Sequence, residues 1–205
     1  MKRIIPVFII IALIVVSCKE KNKAAADADK TTVSADPAKD SAAIRQTVMD
    51  FYNWYHTNFR SFFRYNLYDG LKKEDEPPYK FNWDEAEKYQ QFIRDSVPYL
   101  GQAFLENQLR FFKQCDSAFK VDVEDDIPYG FDYDWYTNSQ EGTEYLLEDL
   151  RNTKADWNII ANGDDATVRI TMTRERGSET EQYTVIGLSM KKEKDKWTIA
   201  KIGNE

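Results

Sequence analysis

The sequence predicts an α+β domain in which long N-terminal helices pack on a C-terminal, curved antiparallel sheet. Up to about Cys115, apolar residues recur at spacings of three and four, which is the period of amphipathic helices. From Trp157 onward, apolar and polar residues alternate in short runs that turn signals separate, which is typical of a meander of strands. Helices first and strands last is an α+β order, and we expect the sheet to curl over the first helix as a cone.

The first helix is predicted to run from Ser41 to about Leu67, with Asp40 or Ser41 as its N-cap. Its apolar stripe is wide and aromatic, and comprises Ile44, Val48, Phe51, Tyr52, Tyr55, Phe59, Phe62 and Phe63. The stretch from Tyr68 to Phe81 contains Gly70, Pro77 and Pro78 among charged residues. It is therefore predicted to be a loop.

Further helices are predicted at Trp83 to Arg94 and at Thr143 to Arg151, on the same periodicity. Between them, Ser96-Val97-Pro98 supplies a capping residue followed by proline, which favours the start of a helix that continues to about Cys115. Alternation at Phe119, Val121 and Val123 predicts a short strand after that helix.

An antiparallel meander of three or four strands is predicted from the segments Trp157–Ala161, Thr167–Arg174, Tyr183–Lys191 and Lys196–Ile202. The turns between them are Asn162-Gly163, Gly177-Ser178 and the charged stretch 192–195. By alternation, Val168, Ile170 and Met172 share one face, and Ile186, Leu188 and Met190 lie on the matching face of the next strand.

The N-terminus resembles a bacterial lipoprotein signal peptide: Lys2 and Arg3 precede an apolar run, 4–16, and Val15 and Ser17 stand three and one before Cys18. Thirteen helical residues span roughly 20 Å, less than a membrane requires, so an uncleaved anchor is the weaker alternative. The resemblance implies that residues 1–17 are removed and that Cys18 is lipidated. Residues 18–40, rich in Lys, Asp, Ala and Thr, are predicted to be a flexible linker before a single domain at 41–205.

Composition limits the class of partner. The sequence has 28 basic and 35 acidic side chains. Removal of residues 1–17 takes away two of the basic ones, Lys2 and Arg3, and leaves a formal charge of −9. That charge argues against nucleic acid and against electrostatic adhesion to anionic lipid. Apart from Cys18 the only cysteine is Cys115, which we expect to be buried.

An irregular, acidic and aromatic segment from Asp125 to Glu141 is the predicted contact surface for a basic protein partner or a small envelope ligand, because loop aromatics beside carboxylates suit recognition. The candidate binding residues are Asp126, Asp132, Asp134, Trp135, Tyr136, Gln140 and Glu141. Although carboxylates are dense here, a calcium loop counted from Asp132 lacks its third ligand, its glycine and its final glutamate, so no metal site is predicted.

Catalysis would have to use His56, the only histidine, as a general base with Asp132 or Asp134. No serine-nucleophile motif, glycine-rich phosphate loop or paired-cysteine metal motif accompanies it. The sequence therefore favours a packed or surface histidine, a non-enzymatic protein and no cofactor.

Several phrases resemble a bacterial lipoprotein domain of unknown function: 51–55, 96–100, 132–141 and 197–202. That family is similar to the nuclear-transport-factor-two-like, cystatin-like cone, and some of its relatives look like immunity proteins against amidase toxins of type VI secretion. The resemblance implies a lipid-anchored envelope protein, with the outer membrane favoured and either its periplasmic or its surface face. We interpret it as a protein that binds rather than catalyses. An immunity-type inhibitor is the alternative, an enzyme using His56 the third, and homodimers are common for the fold.

Overall fold

The computed structural model describes residues 37–70, 72, 75–123, 127–176 and 178–203. These residues form four α-helices, one 3₁₀ segment and a four-stranded antiparallel sheet, so the predicted α+β class is confirmed. The helices are α1 (Pro37–Asn58), α2 (Trp83–Ser96), α3 (Gln102–Phe119) and α4 (Thr143–Arg151), and the 3₁₀ segment is Phe59–Arg64. Predictions for 1–17, Cys18 and the linker as far as residue 36 fall outside the described residues.

Helix α1 begins at Pro37, earlier than predicted, because proline fits the first turn of a helix. Asp40 therefore lies inside the helix rather than at its cap or at the end of the linker. It is buried, and its Oδ1 accepts hydrogen bonds from Trp197 Nε1 (2.9 Å) and Lys192 Nζ (3.1 Å). The indole N–H and then the ammonium group hold the pKa of Asp40 below its ordinary value. These contacts join the first turn of α1 to the end of the chain.

Helix α3 begins at Gln102, so the predicted start at 96–98 is wrong. Ser96 instead ends α2, and the next residues form a turn that pairs with Ile199. Ile199 N donates to the Tyr99 carbonyl at 2.8 Å, and Gly101 N donates to the Ile199 carbonyl at 3.2 Å. The carboxylate of Glu193 then accepts from the first two amides of α3, at 3.0 and 3.1 Å, which is the role that a local cap usually has.

The strand predicted at Phe119 to Val123 is also wrong. Phe119 is the last residue of α3 and is buried. It continues the helical spacing of Phe112 and Cys115, whereas Val121 is 80% exposed. The alternation therefore combined the last buried residue of a helix, Phe119, with valines of the exposed segment that follows it.

The predicted meander is confirmed as β1 (Asp156–Asn162), β2 (Asp165–Arg176), β3 (Glu179–Glu193) and β4 (Lys196–Ile202), in the order β1-β2-β3-β4. Val168 pairs with Leu188 and Ile170 with Ile186, as the shared faces required. Lys194 and Asp195 both have positive φ, of 50° and 64°, which matches the two-residue turns that follow the twist of a hairpin.

One hydrophobic cluster contains buried residues from all four helices and from β2, β3 and β4. Cys115 belongs to it, as predicted, and burial raises the pKa of its thiol to about 12. Within the described part of the chain, no helix is both long and apolar enough to cross a membrane.

Candidate functional site

The segment 127–142 folds back on itself before α4. Asp134 N donates to the Ser139 carbonyl at 2.9 Å, and Asn138, with a φ of 52°, lies in the turn between them. Gly130 adopts a φ of 81°, and its carbonyl accepts a hydrogen bond from the indole of Trp135. This turn aims the middle of the segment at the helices rather than at solvent.

Tyr136 is deeply buried, at 2% exposed. Its hydroxyl lies 2.5 Å from that of Tyr89 on α2 and accepts from Gln108 Nε2 on α3 at 3.3 Å. Its carbonyl accepts from the Tyr52 hydroxyl at 2.9 Å. Three helices therefore hold a residue that sequence reasoning placed on a contact surface.

Asp134 lies half-buried beside Tyr136. Its Oδ2 accepts from the Tyr55 hydroxyl and its Oδ1 from the amide of Tyr136, both at 2.8 Å. Burial raises the pKa of the Asp134 carboxyl, and the hydrogen bonds from Tyr136 and Tyr55 oppose that rise. Burial and the adjacent carboxylate raise the pKa of Tyr55, so its hydroxyl keeps the proton that it donates.

Trp135 is partly buried among rings. Its indole meets Phe131 edge-on at 5.0 Å between centroids and Phe111 edge-on at 5.5 Å. Ring pairs at these distances add to the free energy gained by burial alone. Trp135 is thus fixed in place by packing.

The other predicted residues that the structure describes lie on the surface. Gln140 and Glu141 are exposed, and Gln140 Nε2 donates to the carbonyl of the exposed Asp132 at 2.9 Å. Asp126 falls outside the described residues. The structure therefore brings together three of the seven candidates, Asp134, Trp135 and Tyr136, and leaves Asp132, Gln140 and Glu141 exposed.

These three residues line a cavity of about 250 Å³, which we call the aromatic cleft. Its other lining residues are Tyr55, Phe62, Phe63, Tyr65, Asn66, Leu67, Tyr68, Tyr89, Phe131 and Tyr133. Asp134 is the one carboxylate among the described lining residues, and that lining includes no lysine, arginine or histidine. Phe63 is 67% exposed and Tyr133 36%, so the lining is partly open to solvent.

His56 lies outside the cleft. It is exposed, and its Nδ1 is 2.6 Å from the Thr143 hydroxyl of α4, whereas the side-chain partners of Asp134 are Tyr55 and the amide of Tyr136. Where the structure describes side chains, no group of three or more His, Cys, Asp or Glu residues is placed to hold a metal ion.

Compared with known protein families, curated proteins and solved structures, the chain gives no match.

Proposed function

We propose that this protein is a lipid-anchored, non-enzymatic binding module of the bacterial cell envelope whose aromatic cleft accepts an organic cation. The cation is carried by a basic protein partner or by a small envelope ligand. The observation that supports this proposal is a single half-buried carboxylate, Asp134, in a wall made almost entirely of aromatic rings.

Aromatic rings attract a cation through the negative face of their π systems, and the attraction grows when water is excluded. A carboxylate nearby adds direct charge complementarity. Burial already disfavours the ionised form of Asp134, so a cation in the cleft would stabilise that form and lower its pKa. A cleft of about 250 Å³ suits a small cation or one basic side chain rather than a large ligand.

The anchor and the finer fold belong to the same proposal. Cys18 carries the acyl chains, and we favour the outer membrane on the resemblance of the N-terminus. The domain is proposed to be a nuclear-transport-factor-two-like cone that can form homodimers. Register shifts at Ile170/Thr171 and at Ser189/Met190 support the curvature, because bulges bend a sheet.

The test is calorimetric titration of the full chain with benzyltrimethylammonium, with benzyl alcohol as the neutral comparison. Asp134→Asn keeps the shape of the side chain and removes its charge, whereas Asp132→Asn makes the same change on the exposed surface. We expect the first to weaken binding at least about tenfold and the second to leave it within about twofold, because only Asp134 lines the cleft.

Phe63→Ala tests the same cleft without touching the core, since Phe63 is mostly exposed. It is expected to weaken binding of the cation while circular dichroism stays unchanged.

Affinity capture from envelope extract then distinguishes the two carriers: a basic protein retained by wild type and by Asp132→Asn, but not by Asp134→Asn, identifies a protein partner. Absence of heat with the cation at millimolar concentration, or equal binding by Asp134→Asn, would overturn the proposal.

A further inference from the structure

A second cavity, of about 420 Å³, shares Tyr133 and Trp135 with the aromatic cleft. We call it the polar groove, and its described lining is Phe104, Asn107, Gln108, Arg110, Phe111, Gln114, Tyr133, Trp135, Asn138, Lys201, Ile202 and Gly203. Its volume lies within the range of roughly 300–1,000 Å³ that is usual for small-molecule sites. Helix α3 supplies rings, amides and Arg110, the segment 127–142 supplies two further rings and Asn138, and β4 supplies Lys201.

The charge of the groove is opposite to that of the chain. Arg110 on α3 and Lys201 on β4 are its two basic residues, and the described lining contains no aspartate or glutamate. The whole chain, by contrast, has a formal net charge of −7. The Arg110 guanidinium donates to the Asn107 side chain, whose own amide donates to the Ala200 carbonyl at 2.8 Å. Arg110 is therefore oriented by its neighbours, with donors to spare for an anion.

Gln108 supplies an independent sign of a ligand. It is 6% exposed, and its Oε1 is buried without a hydrogen-bond partner, while its Nε2 makes the 3.3 Å bond to Tyr136. If the amide were rotated by half a turn, its nitrogen rather than its oxygen would be the atom without a partner. An unpartnered buried polar atom costs free energy, and a ligand whose donor group reaches the Gln108 Oε1 would remove that cost.

We propose that the polar groove is a second ligand site, for a small ring-bearing carboxylate that also carries a hydrogen-bond donor. Arg110 and Lys201 bind the carboxylate, because guanidinium and ammonium groups form charge-assisted hydrogen bonds with it. Phe111 and Trp135 contact the ring, and Gln108 accepts the hydrogen bond from its donor group. This site uses other charged residues than the cationic site and does not depend on it.

The test is calorimetric titration of the full chain with 4-hydroxybenzoate, compared with 4-hydroxybenzyl alcohol, which lacks the charge. The double variant Arg110→Gln/Lys201→Gln is expected to weaken binding of the anion at least about tenfold, since two charge-assisted bonds are lost. The matched control is Arg94→Gln/Lys196→Gln, which removes equal charge from α2 and β4. Arg94 bonds Gln91 three residues earlier, as Arg110 bonds Asn107, and neither control residue lines the groove.

Gln108→Leu probes the amide separately. Wild type is expected to prefer 4-hydroxybenzoate over benzoate by about fivefold, and the variant is expected to bind both as wild type binds benzoate. Asp134→Asn should leave these affinities unchanged, which separates this site from the proposed cation site. No heat with 4-hydroxybenzoate at millimolar concentration would overturn the proposal, and so would equal losses in the two double variants or an unchanged preference in Gln108→Leu.

Discussion

The hydroxyl of Tyr136 can be removed with almost no change of shape by Tyr136→Phe. Two buried partners then lose a bond: the Tyr89 hydroxyl at 2.5 Å and Gln108 Nε2 at 3.3 Å. A buried polar group left without its partner costs about 1–3 kcal/mol, and the longer bond contributes less. We therefore expect a loss of about 2–3 kcal/mol in the free energy of unfolding.

A double-mutant cycle with Tyr89→Phe tests the origin of that loss. Removing both hydroxyls also removes the group that was left unpaired, so the double variant should be more stable than the sum of the two single losses predicts, by about 1–2 kcal/mol. Tyr133→Phe is the control, because that ring is partly exposed and its hydroxyl makes no bond to this cluster. Urea unfolding followed by tryptophan fluorescence and circular dichroism gives all four free energies. A loss under about 0.5 kcal/mol for Tyr136→Phe, or strict additivity in the cycle, would refute the reasoning.

Two further predictions concern the backbone of the loop and the pH dependence of stability. Gly130→Ala is expected to destabilise the protein more than Gly163→Ala. Both glycines have positive φ, which costs an alanine about 1–2 kcal/mol, but only at Gly130 would the new Cβ also meet a ring atom of Phe111, at 2.6 Å. Equal losses of stability in thermal unfolding would contradict this prediction. The hydrogen-bond partners of Asp40 lower its pKa, so its contribution to stability is lost as pH falls through the folded-state pKa of Asp40. Burial raises the pKa of Asp134, so its contribution to stability is lost as pH rises through the folded-state pKa of Asp134. On acidification below neutrality, the melting temperature of wild type should therefore fall relative to Asp40→Asn and rise relative to Asp134→Asn, and parallel curves would exclude both effects.

Most of the secondary structure follows from short-range patterns. The bounds of α4 and β4 agree with the prediction, because helical periodicity, strand alternation and turn residues all act within a few positions there. The start of α3 does not follow from them. Its cap is Glu193, a residue some ninety positions away, and the preceding turn is held by Ile199. Local signals at Ser96 and Pro98 cannot register such partners.

The sequence predicted which segment carries the candidate site but not which of its side chains are buried, for a similar reason. Composition identified the segment that carries Asp134, Trp135 and Tyr136, but an irregular segment has no periodicity from which to infer which side chains face inward. Tyr55 and Tyr89 fit helical stripes as core residues, and nothing in their spacing shows that their hydroxyls meet the segment. Gln108 gave no signal at all, since a single amide on a helix is ordinarily a surface residue.

The pairing of residues 99–101 with Ile199 also affects how folded copies of this protein can associate. An unpaired strand edge is a template on which other chains can add strands and aggregate. Here the protein's own turn occupies hydrogen-bonding positions on the outer side of β4, next to the cap that starts α3. Edge-to-edge association through β4 is thereby hindered at these positions, and β1, at the other end of the strand order, is the other edge strand and has seven residues.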